Sequence, residues 1–126
     1  MNDFFFLDTY AMFEFIYGNN DYKKFSKSKF ATTIFNIAEL SYNLRKEFSK
    51  RESDRLARDY SEVIVEVTVD DICNASNTKS KNRKLSIPDC IGYIVAKRIG
   101  AKFLTGDKEF EKMVNVEFVK WFIIVS

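Results

Sequence analysis

The sequence predicts an α/β fold in three layers, α/β/α, with a central and mainly parallel sheet. Short apolar runs typical of buried strands alternate with helical segments, a pattern that favours a parallel sheet covered by helices on both faces. The composition, 46% hydrophobic and 30% charged, is that of a globular chain. A length of 126 residues suits one domain, which we predict to span residues 1–126.

The first half of the chain contains one predicted strand and two predicted helices. The strand is Phe4–Leu7, an unbroken apolar run that ends at Asp8. A short helix is predicted over Thr9–Tyr17, with Gly18 as its end. Apolar residues then recur at steps of three and four over residues 28–48, which predicts one long amphipathic helix.

The second half continues the alternation of helices and strands. We predict a charged helix at about residues 50–60, a β-branched strand at Val63–Val67 and a helix at about residues 70–77. Residues 78–84 are polar and basic, and they are predicted to form a surface loop.

The next helix is predicted over residues 86–99, because Ser86 and Asp89 have the spacing of a capping box. Gly100 would end this helix. The remaining predicted elements are a strand at 102–105, a short helical turn through Phe110 and Met113, and one or two strands within 116–125.

Histidine is absent from the chain, which excludes hydrolases with a His base, Cys/His zinc fingers and His-based nucleases. Hydrolytic chemistry would have to come from the 18 Asp and Glu residues, whose oxygens suit a hard divalent metal ion. Cys73 and Cys90 fall in predicted helices, where we expect buried side chains rather than a disulfide or a nucleophile.

Two observations predict the compartment of the protein. The apolar run near the amino terminus is flanked by acids, which is unlike a signal peptide. No apolar run reaches the roughly 20 residues that a membrane span needs. We therefore expect a soluble, cytoplasmic protein that does not enter a membrane.

Acidic residues near the ends of predicted strands are the candidates for chemistry, because ligands of open α/β sheets bind beyond the carboxyl ends of the strands. Asp8 and Asp107 each follow a strand, and Asp89 begins a helix. Each also has a structural interpretation, because Asp8 and Asp107 could cap the following helices and Asp89 could complete the capping box. Glu39 lies at the edge of an apolar helix face, so spacing alone does not single it out.

Four blocks of the sequence carry a family resemblance. They are Phe6-Leu7-Asp8-Thr9, Ala38-Glu39-Leu40 with Arg45, Leu85-Ser86-Ile87-Pro88-Asp89, and Gly100-Ala101-Lys102-Phe103-Leu104-Thr105-Gly106-Asp107-Lys108-Glu109-Phe110. In this order and spacing they resemble PIN domains, and in particular the VapC-type toxin ribonucleases. The resemblance covers nearly the whole chain, and its most specific part is residues 85–110.

The resemblance implies a PIN-like fold and an endoribonuclease, dependent on Mg2+ or Mn2+, that hydrolyses RNA phosphodiester bonds as the toxin of a toxin-antitoxin pair. The family's four acids, which ligate metal and orient water, match Asp8, Glu39, Asp89 and Asp107. Thr105 matches a hydroxyl residue near the site, and Thr9 is a second candidate for positioning the loop or the substrate. Glu109 stands where many relatives have Asp, which leaves an accessory role open.

Carboxylates that converge in one crevice repel one another, which raises their pKa values unless a cation relieves the repulsion. Lysine or arginine could do so. Mg2+ or Mn2+ would in addition bind a phosphate oxygen and acidify an attacking water. One ion and two ions are equally compatible with the sequence.

Charge gives modest support to a polyanionic substrate. The net charge is +2, and it becomes +6 when the four candidate acids are set aside, because 14 of the 18 acids then face 20 basic residues. Three basic clusters could neutralise RNA phosphates, and a solvated surface is the alternative for each. The clusters are Lys23, Lys24, Lys27 and Lys29; Arg45, Lys46, Lys50 and Arg51; and Lys79, Lys81, Arg83 and Lys84.

The resemblance also implies partners, namely a small antitoxin and a second copy of the chain in a homodimer. Two alternatives remain open: a housekeeping PIN nuclease in RNA processing, and a non-catalytic PIN-like module that binds protein or RNA. An aspartyl nucleophile at Asp8 is disfavoured, because haloacid-dehalogenase-like phosphatases place a second Asp where this chain has Tyr10.

Overall fold

Strands and helices alternate along residues 3–120, the part of the chain that the computed structural model describes. Two short 3-10 turns lie at Ser61–Val63 and Lys108–Phe110. The other elements are β1 Phe4–Leu7, α1 Thr9–Tyr17, α2 Asn20–Lys23, β2 Lys29–Ala31, α3 Ile34–Leu44, α4 Lys50–Arg58, α5 Val69–Lys81, α6 Ile87–Ile99, β3 Lys102–Thr105 and β4 Val116–Phe118.

The four strands form one sheet in the order β2-β1-β3-β4, and every neighbouring pair is parallel. In this register Phe6 lies opposite Ala31 on one side and Phe103 on the other. All four carboxyl ends therefore meet at one edge of the sheet, with β1 and β3 side by side. The predicted parallel α/β fold is confirmed.

Helices cover both faces of the sheet because side chains alternate along each strand. Phe6 and Phe103 point into the core that α6 closes, where their rings stack with centroids 5.7 Å apart. Leu7 and Leu104 point into the opposite core, which also contains buried side chains of α1, α3 and α4. The predicted three layers follow from this division of the strand residues between two cores.

The predicted helix over residues 28–48 is wrong in its first part, because Lys29–Ala31 is the edge strand β2. The helix α3 begins only at Ile34, where the Thr33 hydroxyl caps it by accepting from Asn36 N. Phe30 and Ile34 are four residues apart, so a three-residue strand followed by a helix produces the same apolar spacing as one continuous helix.

The predicted strand at Val63–Val67 is also wrong. Only Ile64 bridges to the sheet, through Thr32 next to β2, so the β-branched segment covers the edge strand without extending the sheet. The predicted loop at residues 78–84 is shorter than expected, because α5 continues to Lys81.

Caps predicted from sequence are present at both ends of several helices. Gly18 ends α1 and Gly100 ends α6, each in the left-handed region that a residue with a side chain rarely adopts. Ser86 and Asp89 form the capping box of α6. Of the predicted carboxyl-terminal strands, β4 is present, and residues 121–126 lie outside the described residues.

The two cysteines differ in exposure. Cys90 is buried in α6, as predicted, whereas Cys73 is exposed on α5, so the expectation of a buried side chain is wrong there. Over residues 3–120, no helix has the length and apolar character needed to cross a membrane.

Candidate active site

The carboxyl edge of the sheet brings together the four acids singled out in the sequence. Asp8 directly follows β1, and Asp107 follows the adjacent strand β3. Asp89 lies in the first turn of α6, which begins at this edge and runs back beside the sheet. Glu39 lies on α3, which leaves the same edge after β2.

Asp8 is 1% exposed, and both of its carboxylate oxygens accept hydrogen bonds. Oδ1 accepts from Ala11 N at 2.7 Å, and Oδ2 accepts from the Thr105 hydroxyl at 2.5 Å. The Thr105 hydroxyl in turn accepts from Asp107 N at 3.1 Å. Thr105 thus links the end of β1 to the segment that carries Asp107.

Glu39 is held by α1 through Thr9, whose hydroxyl donates to Oε1 at 3.0 Å. Asn36 supports the pair, because its side-chain amide donates to the Thr9 hydroxyl at 3.4 Å. The Thr33 hydroxyl donates to Asn36 Oδ1 at 2.7 Å and fixes the amide in this orientation. A chain of buried polar groups therefore orients Glu39 across two helices.

Asp89 and Asp107 each use one carboxylate oxygen to cap a helical turn. Asp89 Oδ2 accepts from Ser86 N at 3.4 Å, and Asp107 Oδ1 accepts from Glu109 N at 3.0 Å. Within residues 3–120, the second oxygen of Asp107 and Oε2 of Glu39 make no hydrogen bond or ion pair, and the Asp89 carboxylate accepts hydrogen bonds from Ser86 alone. The capping interpretation is correct for all three aspartates, and it leaves oxygens available for a ligand.

The four acids act on one another electrostatically. Burial raises the pKa of Asp8 to about 8, and the charges of Asp89 and Asp107 add to the rise. Burial also raises the pKa of Asp89, with a contribution from Asp107, and the pKa of Glu39, with a contribution from Asp89. Asp107 thus lies close enough to Asp8 and Asp89 to raise their pKa values, and Asp89 does the same to Asp8 and Glu39, as carboxylates sharing one crevice do.

The donor set of this crevice suits a hard divalent cation. The available groups are carboxylate oxygens, which Mg2+ and Mn2+ prefer, and the burial that raises their pKa values is unfavourable without positive charge. Among the described residues, no three acids or thiols are arranged as a complete metal site. Mg2+ does not require such a cage, because it keeps several waters and takes one or two carboxylates.

Sequence reasoning missed two contributors to this crevice. Tyr10 is half-buried, and its pKa is raised by burial and by the charges of Glu39 and Asp89. Asn36 supports Thr9. The sequence did carry a signal for Asn36, because Thr33 and Asn36 have the spacing of a helix cap. This signal lies inside the predicted helix over residues 28–48, where no cap was expected.

The sequence left an accessory role open for Glu109. In the structure its carboxylate lies 4.0 Å from the ammonium group of Lys84.

Comparison with known families and structures gives a consistent result. A model of the PIN domain family matches residues 5–115. No curated protein gives a significant match. Solved structures similar to this chain include proteins from three different bacteria.

The first is a toxin-antitoxin complex from Klebsiella pneumoniae, 16% identical, covering 89% of this chain and 94% of that chain with a TM-score of 0.71. The second is VapC20 of Mycobacterium tuberculosis, a sarcin-ricin loop cleaving toxin, 18% identical, covering 89% of this chain and 98% of that chain with a TM-score of 0.70. The third is DNA-bound VapBC from Salmonella typhimurium, 16% identical, covering 96% of this chain and 99% of that chain with a TM-score of 0.71. At these identities the similarity is one of fold.

Proposed function

This chain belongs to the PIN domain family, and from that premise we propose that it is an endoribonuclease that depends on Mg2+ or Mn2+ and acts as the toxin of a toxin-antitoxin pair. The observation that carries the proposal is the crevice at the carboxyl edge, where burial and mutual repulsion act on three carboxylates, with the fourth close beside them. One buried carboxylate with three half-buried carboxylates beside it is costly without a cation, and binding a cation would offset that cost.

The four acids divide the work by their surroundings. Asp107 and Glu39 each have an oxygen without a protein partner among residues 3–120, and Asp89 is bonded by Ser86 alone. We assign the oxygens of these three acids to the cation and its waters. Asp8, buried at the centre, would lose its proton when the cation binds and would then supply negative charge at the base of the crevice. When bound, the cation would neutralise the acids, polarise the phosphodiester and acidify a water molecule.

Thr9 and Thr105 are positioning residues in this proposal. Thr9 fixes the rotamer of Glu39, and Thr105 fixes both the Asp8 carboxylate and the backbone at Asp107. Ser86 does the same for Asp89 through the α6 capping box. With their carboxylates held by hydroxyl and amide groups, the acids need little rearrangement when the substrate binds.

An antitoxin protein, a second copy of the chain and an RNA substrate are the partners we propose, and the cytoplasm is the proposed compartment. The antitoxin is supported by the fold similarity to the Klebsiella complex and to the Salmonella VapBC proteins. An RNA substrate is supported by the fold similarity to VapC20, which is described as a sarcin-ricin loop cleaving toxin.

The test is an RNA cleavage assay with the purified chain, in Mg2+ or Mn2+ and after chelation. We expect cleavage with either cation, none in excess EDTA, and recovery when the cation is restored. Asp89→Asn keeps a side-chain oxygen that can accept from Ser86 N, but it removes the negative charge. Changes to groups that only orient a metal ligand cost about 10–100-fold in activity. Because Asp89 is itself a proposed ligand, we expect the activity of this variant to fall at least about a hundredfold.

Asp70→Asn is the matched control for Asp89→Asn. Asp70 is an exposed acid in the first turn of α5, so its replacement removes one negative charge at a helix start away from the crevice. Its activity should equal that of the unchanged chain. Cleavage that survives EDTA, or that Asp89→Asn leaves undiminished, would rule out the proposed mechanism.

Thr105 offers a separate test of positioning. Thr105→Val keeps the shape of the buried side chain but removes the hydroxyl that donates to Asp8 and accepts from Asp107 N. We expect kcat to fall by about 10–100-fold, as for other groups that orient a ligand, while KM changes little. Thr105→Ser should restore most of kcat. Equal rates for the Val and Ser variants would contradict this role.

A further inference from the structure

The three basic clusters of the sequence lie on different parts of the fold. Lys23, Lys24 and Lys27 precede β2, whose first residue, Lys29, lies opposite Phe4 at the amino end of β1. The acidic crevice is at the carboxyl ends of the same strands. This cluster is therefore directed away from the site at which we propose that RNA is cut.

Two of the four cations in the second cluster share one carboxylate. Arg45 contacts Asp54 at 2.8 Å, and Lys50 contacts the other oxygen of Asp54 at 2.6 Å. The hydrogen bond from Lys50 and the charges of Lys50 and Arg45 hold the pKa of Asp54 below its usual range. These two cations would have to give up a carboxylate to bind a phosphate.

The third cluster lies at the turn between α5 and α6, directly before the helix start that carries Asp89. Lys79 does not face solvent freely, because its ammonium group donates to the backbone oxygens of Leu85 at 2.6 Å and Arg83 at 3.1 Å. Lys79 therefore shapes the turn. It fixes the backbone that presents Arg83 and Lys84 beside the crevice.

The remaining three cations of this turn are exposed to solvent or nearly so. Over residues 3–120, the side chains of Lys81 and Arg83 make no hydrogen bond or ion pair. Lys84, 82% exposed, lies 4.0 Å from Glu109, which follows Asp107 by two residues. Lys84 thus spans from the Asp89 side of the crevice to the Asp107 side, held there only by a weak surface ion pair.

We propose that Lys81, Arg83 and Lys84, here called the basic turn, bind the phosphate backbone of RNA on one side of the acidic crevice. Unpaired cations on a shaped turn attract a polyanion, whereas the carboxylates beside them repel it until a divalent cation is bound. The basic turn therefore holds the strand next to the acids. The choice of RNA as the ligand rests on the proposed function.

The test measures binding and not cleavage. A fluorescent single-stranded RNA is titrated into the Asp8→Asn chain, which should not consume it, with Mg2+ present and over a range of salt concentrations. The test variant adds Lys81→Gln, Arg83→Gln and Lys84→Gln. The matched control adds Lys23→Gln, Lys24→Gln and Lys27→Gln, which removes the same charge at the opposite edge of the sheet.

We expect the basic-turn variant to bind at least about tenfold more weakly at low salt. Its slope of log K against log salt should be smaller by about 2, because each phosphate of a single strand that a cation neutralises adds roughly 0.7 to the slope. The control should keep the slope of the Asp8→Asn chain. Equal reductions in both triple variants would show a general charge effect and overturn the inference.

The inference and the proposed function can fail separately. If the unchanged chain cuts no RNA but the basic-turn variant alone loses RNA binding, the proposed nuclease activity is wrong and the basic turn is still an RNA-binding surface. If the unchanged chain cuts RNA and the basic-turn variant binds RNA as tightly as the control, the basic turn is wrong and the nuclease remains.

Discussion

Asp8→Asn is expected to stabilise the metal-free protein at pH 8 while it removes nuclease activity. The pKa of Asp8 is raised to about 8 in the native chain, whereas the pKa of an Asp in the unfolded chain is about 4. Between these values the native chain holds a proton that the unfolded chain releases. The free energy of unfolding therefore falls as pH rises from about 4 to 8.

Asparagine at this position remains neutral and so avoids that loss. It is as good a helix cap as aspartate, so the hydrogen bond from Ala11 N is retained. Each unit of pKa displacement corresponds to about 1.4 kcal/mol, so we expect a gain of about 2 kcal/mol or more at pH 8 after relaxation. The gain should shrink towards pH 5, where Asp8 of the unchanged chain is protonated.

Thermal unfolding in EDTA at pH 5, 7 and 8 measures this effect. Asp71→Asn is the matched control, because Asp71 is also buried and also caps a helix. Although burial raises the pKa of Asp71, hydrogen bonds from Arg98 and Thr68 lower it overall. Its stabilisation is therefore present at neutral pH and lost as pH falls through the native pKa, so Asp71→Asn should destabilise by about 1–3 kcal/mol at pH 7.

Opposite signs for these two buried aspartates would separate a functional carboxylate from a structural one. Excess Mg2+ should reduce the advantage of Asp8→Asn, because only the unchanged chain keeps the full set of acids for the cation. If Asp8→Asn is less stable than the unchanged chain at pH 8 in EDTA, the conclusion that burial raises the pKa of Asp8 is wrong.

Gly92→Ala is expected to lower both stability and activity. A Cβ at Gly92 would lie 2.8 Å from Cε1 of Phe6 and 3.3 Å from Oδ1 of Asn36. Phe6 is fully buried and stacks on Phe103, so its ring cannot move aside. Overpacking of this kind costs about 1–3 kcal/mol, and displacement of Asn36 would loosen the Thr9 contact that orients Glu39.

Gly100→Ala is the control for Gly92→Ala. Gly100 is in the left-handed region at the end of the same helix, and a Cβ there meets nothing within 4 Å. Its replacement should cost about 1 kcal/mol of stability through backbone strain and leave kcat unchanged. The double variant Gly92→Ala with Phe6→Leu should recover part of the loss. Simple addition of the two single costs would show that Phe6 is not the obstacle.

Elements whose local signals agree were predictable from the sequence, and the edge strand β2 was not. The β1 run and the capped helix after Ser86 carry independent signals that agree, namely apolar continuity, Pro in the first turn and a capping box. β2 has three residues and no turn signal of its own. The helix-like spacing of the apolar residues around it therefore led to the prediction of one continuous helix. The Val63–Val67 segment has strand-forming residues but only one bridge to the sheet.

The candidate acids could be found from the sequence, but their support could not. Three of them follow strands or begin a helix, positions that are readable in one dimension. The Thr9 contact with Glu39 and the Thr105 contact with Asp8 join residues far apart in the chain, and they depend on how α3 and β3 pack beside β1. From the sequence, helix capping and ligand binding are alternative roles for each aspartate. Each carboxylate has two oxygens, so one oxygen can cap a helix while the other binds a ligand.

The central position of β1 has a consequence for protein synthesis. The strand β1 finds its neighbour β3, and with it Thr105, only after almost a hundred further residues have been translated. A nascent chain that ends before residue 85 carries Asp8 and Glu39 but lacks the other two acids. The proposed site therefore cannot form until Asp107 has left the exit tunnel.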